Sequence, residues 1–261
     1  MAPIIGLDLE NFDKIYIGSS GDDSFTPTIS EAKDFTFYVV GNEGNDTLLI
    51  NESDGGLVLG GDGNDKIDAI YIHGQLRIYG GDGNDDINFV SSEYSFSPVY
   101  GGNGSDTISG GNVDDVLHGD SGDDILFGKE RNDNLAGDNG NDKLYGGRAK
   151  DALYGGDGND KLKGGKGRDF LRGDAGIDTM IGGRGRDTFE LSSGKDIVKD
   201  FDLDSGEKIV IDGLNFGDNP RISQQGNDVR IRGMGGLDAF LENVNLPEFL
   251  AADAIEFTYY Y

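Results

Sequence analysis

The sequence predicts an all-β protein, a parallel β-roll with a β-rich cap at its C-terminal end. Three observations predict it. A nine-residue repeat runs without a gap from Gly101 to Lys199, the eighth place of every copy is apolar, and Gly makes up 45 of 261 residues. Pro, at 5, is too scarce for a collagen-type chain. A short repeat of fixed period marks a solenoid, in which units stack on one another and bury a continuous core.

The elements follow in chain order. Ile4-Ile5-Gly6-Leu7-Asp8-Leu9 alternates as a strand does, and a degenerate turn at Gly18 carries Asp23 at its sixth place. Better turns begin at Gly41, Gly60 and Gly80; the second is Gly60-Gly61-Asp62-Gly63-Asn64-Asp65 and the third Gly80-Gly81-Asp82-Gly83-Asn84-Asp85. Residues 1–100 thus form coils of about 20 residues, each with one such turn and one ordinary connection. Those connections fall near Glu52–Gly56, His73–Gln75 and Ser92–Pro98, with return strands at Leu57–Leu59 and Leu76–Tyr79.

Residues 101–199 are tandem nonapeptides, opening with Gly101-Gly102-Asn103-Gly104-Ser105-Asp106. The best copy is Gly155-Gly156-Asp157-Gly158-Asn159-Asp160-Lys161-Leu162-Lys163. Gly at the first, second and fourth places opens backbone conformations closed to residues with a Cβ. The last three residues form a strand with its central side chain inward and its neighbours outward. Two nonapeptides make one eighteen-residue coil with a turn on each edge of a flattened roll.

Residues 200–261 read as the cap, with strands at Lys208–Ile211, Asp228–Arg232 and Phe240–Val244, and a short helix started by Pro247. Asp200, Asp202 and Asp204 imitate the start of an EF-hand loop. Ser205 stands where that loop needs Gly, and Ile211 where it needs Glu, so an EF-hand is excluded.

Asp and Glu outnumber Lys and Arg by 49 to 22, a formal charge of -27. Self-repulsion of that size drives a metal-free chain towards disorder and repels nucleic acid and anionic lipid. Stacked coils align the sixth-place acids in two ladders. One holds Asp46, Asp65, Asp85, Asp106, Asp124, Asp142, Asp160 and Asp178, and the other Asp115, Asp133, Asp151, Asp169 and Asp187. Converging carboxylates and turn carbonyls offer the six to eight hard oxygens that Ca²⁺ prefers, whereas Mg²⁺ demands a tighter octahedron. Several Ca²⁺ ions are expected at Asp46, at Gly60, Gly61, Asp62, Gly63 and Asp65, at Gly80, Gly81, Asp82, Gly83 and Asp85, at Gly101, Gly102, Gly104 and Asp106, at Asp124 and Asp142, and at Gly155, Gly156, Asp157, Gly158 and Asp160. Asp169, Asp178, Gly183, Gly185 and Asp187 complete the set. On the second edge the places between turn glycines become basic: Arg148, Lys150, Lys166, Arg168, Arg184 and Arg186. Either they compensate nearby Asp where calcium binds poorly, or they form an edge for an acidic polymer.

The repeat resembles the RTX family of nonapeptide proteins over roughly residues 18 to 199, and the tail resembles the secretion tails of that family. The resemblance implies a calcium-loaded β-roll, exported from a Gram-negative bacterium through a type I channel by an uncleaved C-terminal signal. Met1–Glu10 lacks the basic segment and apolar core of a cleaved signal peptide, Cys is absent, and no apolar run is long enough for a transmembrane helix.

No nucleophile elbow or His-Glu-x-x-His site occurs, and His73 and His118 are the only histidines. A non-enzymatic, extracellular role is expected: a structural or adhesive surface protein that self-assembles. The alternatives are an anionic-polysaccharide module or β-helix lyase, for which Tyr71, His73, Arg77 and Tyr79 offer one mixed face, and a membrane-active secreted protein.

Overall fold

The computed structural model describes residues 14–26, 37–51, 55–91, 97–215, 220–233, 236–252 and 254–260. Within them the strands form two sheets of twelve and thirteen, and from Lys14 to Val198 the chain alternates between the two, each strand pairing with the one two elements away. The pairing through the roll is parallel and in register. Leu117, Leu135, Leu153, Leu171 and Phe189 stack in one sheet. Ile108, Leu126, Leu144, Leu162 and Met180 stack in the other. All ten are buried, and removing each from water is worth about 1.5–3 kcal/mol. Between Ile108 and Phe189 the core is this stripe, because the seventh and ninth places face outward.

The strands run longer than the three residues expected. Lys143–Arg148 and Lys161–Gly167 continue through the paired glycines, where Gly147 stands beside Gly165 and Gly165 beside Gly183. A parallel ladder can continue wherever two backbones stay side by side, and the glycines let them do so through the bend.

The N-terminal coils enter the same two sheets. Val39, Val58, Ile78 and Val99 lead into Leu117, and Leu48, Ile67 and Ile87 into Ile108. Gly55 and Gly56, expected in a connection, already belong to the strand Gly55–Asp62. Their neighbours impose this: Gly55 pairs with Gln75 at φ 124°, so close that a Cβ would strike the Gln75 backbone. The segment Ile4–Leu9 lies outside the described residues.

In the cap, Lys208–Asn215 and Ile255–Tyr260 extend the first sheet in parallel. Asp238–Leu241, Asp228–Arg232 and Arg221–Gln225 extend the second, the last two by antiparallel pairing. The strand expected at Phe240–Val244 stops at Leu241, and Asn243 turns the chain with φ 60°. The helix Leu246–Ala251 is capped by Asn245, whose side chain accepts from the Glu248 amide. Its Phe249 is buried and meets Phe201 edge-on at 5.7 Å, and Phe201 lies 6.0 Å from Phe189. Three aromatic rings therefore close the end of the core that stacked Leu side chains fill elsewhere.

Candidate metal centre

Each ladder Asp faces inward at the turn and is at most 3% exposed. One carboxylate oxygen, Oδ1, accepts the backbone N–H of the ladder Asp one coil earlier. The chain of bonds runs from Asp46 N to Asp65 at 2.7 Å, Asp65 to Asp85 at 2.8 Å, Asp85 to Asp106 at 2.7 Å and Asp106 to Asp124 at 2.7 Å. It continues through Asp142, Asp160 and Asp178. The other edge repeats the pattern from Asp115 through Asp133, Asp151 and Asp169 to Asp187, at 2.8–3.0 Å.

The second oxygen, Oδ2, is buried without a hydrogen-bond partner at every rung from Asp46 to Asp187 except Asp115, whose Oδ2 accepts from Gly111 and whose Oδ1 is the unpartnered one. Buried polar atoms are rarely left unpaired, since each costs about 1–3 kcal/mol. A row of thirteen such atoms calls for a ligand that a protein lacks: a cation. The first-place glycines mark the spot. A Cβ on Gly60 would collide with both Asp65 Oδ2 and the Gly80 carbonyl, and one on Gly155 with Asp160 Oδ2 and the Gly173 carbonyl. Carboxylate and carbonyl oxygens thus lie together beside the first-place glycines from Gly41 to Gly164, a hard-oxygen donor set that fits Ca²⁺.

Among the described residues no three acidic or histidine side chains gather at one point. The expected convergence of carboxylates is therefore replaced by a sparser arrangement, one unpartnered carboxylate oxygen per rung, and neighbouring carbonyls would have to supply the further donors a cation needs. The reason is the ladder itself, which commits Oδ1 to an amide.

Burial dominates the electrostatics. It raises Asp85, Asp160 and Asp169 to about 7, and Asp124 and Asp133 to about 8, with neighbouring ladder carboxylates adding to the rise. Asp65, Asp106, Asp142 and Asp151 rise to about 6, again first by burial. A bound divalent cation reverses this by favouring the ionised carboxylate.

The remaining expected residues take two positions. Asp62, Asp82 and Asp157 have exposed side chains outside the turn, and Asn103 donates to Asp82 at 2.7 Å. Their carbonyls accept from Gly44, Gly63 and Gly140. Gly61, Gly63, Gly81, Gly83, Gly102, Gly104, Gly156, Gly158, Gly183 and Gly185 all have positive φ, whereas Gly60, Gly80, Gly101 and Gly155 are first-place glycines buried against the ladder. At Gly63 the constraint is absolute, with φ 134° and the Gly44 carbonyl where a Cβ would stand.

Two acids extend the ladders beyond the residues expected. Asp196 lies one coil beyond Asp178, with both oxygens unpartnered and its ionisation raised to about 8. Glu207 stands opposite Asp187, because Thr188 pairs with Lys208, and burial raises it to about 8. The signal for Glu207 was present in Lys208-Ile209, which supply the seventh and eighth places after a step lengthened as in the N-terminal coils. Asp200, from the rejected EF-hand imitation, accepts from the Gly182 and Gly183 amides at 2.9 and 2.8 Å.

The sequence profile of the RTX calcium-binding nonapeptide repeat, four copies, matches residues 77–89, 100–130, 127–162 and 163–198. The chain carries RTX calcium-binding repeats. The matched segments, whose repeat is of a calcium-binding type, hold both ladders from Asp85 to Asp196. No curated protein matches the chain. Among solved structures, this chain is similar to the extracellular lipase LipA from Serratia marcescens, at 17% identity over 78% of this chain and 40% of the lipase, with a TM-score of 0.30. The chain therefore spans less than half of that lipase, and so low a score carries no argument about activity. Among the described residues no helix is long and apolar enough to cross a membrane.

Proposed function

We propose that this protein is exported to the cell exterior by a type I route, folds there on meeting Ca²⁺, and serves as a structural or adhesive component of a surface layer, matrix or filament. The supporting observation is the run of buried carboxylate oxygens without partners on both edges of the roll. A fold whose core edges are unsatisfied carboxylates is conditional on its cation, so metal binding and folding are one event. Such a chain is soluble and extended where calcium is scarce and becomes a rigid rod where it is plentiful. A non-enzymatic role follows from the same architecture, in which sheets and turns are given over to stacking and cation binding.

Circular dichroism tests the switch: strand signal should be absent in chelator and appear at millimolar Ca²⁺. A β-rich signal in excess chelator removes the reading. Light scattering and electron microscopy at high protein concentration test the structural role, for which calcium-dependent particles larger than a monomer are expected. A strictly monomeric roll in millimolar Ca²⁺ removes the assembly and leaves the calcium switch standing.

A further inference from the structure

The two edges of the roll carry opposite charge outside their buried ladders. On the second edge, register sets Arg148, Lys166 and Arg184 in one row below Glu130. Lys150, Arg168 and Arg186, two residues further along each turn, make a second row at the same eighteen-residue step. With Lys129 and Arg131, eight of the chain's 22 Lys and Arg residues fall on these four turns. All eight are exposed.

Compensation of the neighbouring ladder would account for such cations only if they reached it. They do not. Arg148 pairs with Glu130 at 3.0 Å, but Lys150, Lys166, Arg168, Arg184 and Arg186 form no ion pair among the described residues. Five side chains thus project into solvent without a carboxylate, in a protein of charge -27.

Each row borders a shallow groove along the roll axis. The first, about 650 Å³, is lined by Lys129, Tyr145, Arg148, Lys163, Lys166 and Arg184, with Glu130, the partner of Arg148, at its end. The second, about 410 Å³, is lined by Lys150, Tyr154, Arg168, Phe170 and Arg186, with the ladder residue Asp169 among them. Charges recur at roughly 4.8 Å, the strand spacing, in straight lines. A linear polymer with one carboxylate per sugar has charges spaced comparably, and guanidinium forks match carboxylates in two-point contacts. Aromatic side chains in the grooves supply the apolar surface that sugar rings cover. Duplex nucleic acid packs one charge per about 1.7 Å of axis and would be held against an otherwise acidic body.

We infer that the two cationic rows of the second edge bind a linear acidic polysaccharide lying along the roll axis. This site deepens the adhesive reading and gives it a ligand chemistry. It requires the calcium-folded roll, and the folding readout below separates its failure from failure of that reading.

The test uses the full chain in millimolar Ca²⁺, with short soluble galacturonate oligomers as probe, neutral dextran as control and single-stranded DNA as a competing polyanion. The variants are R148Q/K166Q/R184Q and K150Q/R168Q/R186Q, with circular dichroism of each followed against calcium. The wild type should bind galacturonate but not dextran, more weakly as salt rises. Each variant should fold at the same calcium concentration and bind at least about tenfold more weakly, a loss of about 1.4 kcal/mol. Undiminished binding by both folded variants would place galacturonate on calcium at the acidic ladders and overturn the assignment. So would absence of binding by the wild type, or DNA binding as tight as galacturonate.

Discussion

Asp124→Asn separates the two roles that the ladder carboxylate plays. Asp124 is 1% exposed; its Oδ1 accepts the Asp106 amide at 2.7 Å, and its Oδ2 is unpartnered. Asparagine keeps an oxygen for the amide and sets an N–H₂ group where Oδ2 stood. That position is shared with the Gly137 carbonyl, since a Cβ on Gly119 would strike both atoms. In chelator the substitution therefore replaces an unsatisfied, hard-to-ionise group, raised to about 8, by a hydrogen bond. The expected gain is about 1–3 kcal/mol. In calcium it removes an oxygen that an amide nitrogen cannot replace. A site held at one hundred times its dissociation constant contributes about 2.7 kcal/mol, so the calcium-dependent increment should fall by about that amount for each site lost. Urea denaturation followed by circular dichroism, in calcium and in chelator with a stabilising sulfate salt, reads both quantities. Asp124→Ala is the control: it orphans the Asp106 amide and should destabilise under both conditions. An unchanged calcium increment in Asp124→Asn would refute the reasoning, because the carboxylate would then be only an amide acceptor.

Further outcomes follow from the same geometry. Ladder carboxylates raised from 3.8 to between about 6 and 8 give the metal-free fold stability that is full below pH 3.8 and lost as pH rises through the folded values. Strand signal in chelator should therefore grow on acidification from about pH 8 to 4, whereas calcium affinity should weaken over the same range as protons compete for the carboxylates. Calcium occupancy should be lower at Asp115, Asp133 and Asp151 than along the first edge, because Val113, Arg131 and Ala149 replace the fourth-place Gly and the last two are forced to φ 78° and 83°; anomalous scattering with equal occupancies on both edges would count against this. Gly140→Ala should destabilise the calcium-loaded roll by about 1–3 kcal/mol, since φ is 138° and the Gly122 carbonyl occupies the Cβ position, and a thermal midpoint matching the wild type would contradict that contact.

The nonapeptide register by itself determined the parallel roll, the buried eighth-place stripe from Ile108 to Val198 and the ladder places from Asp106 to Asp187. Each of these depends on a residue type recurring at a fixed interval, and an interval can be read along the chain. Tertiary structure decided what each ladder atom does. Whether Asp65 offers one oxygen or two depends on the Asp46 amide 2.7 Å away, 19 residues earlier in the chain. Glu207 became a rung through its stacking on Asp187 after the period had lapsed, and Asp62, Asp82 and Asp157 turned outward although they sit beside ladder residues in sequence. The cations of the second edge are the sharpest case. Sequence places Lys166 and Arg168 beside Asp169, yet Asp169 faces the interior while both basic side chains face solvent. Neighbours along a turn can point to opposite sides of the backbone, so adjacency in sequence fixed their spacing and only the folded turn fixed their partners.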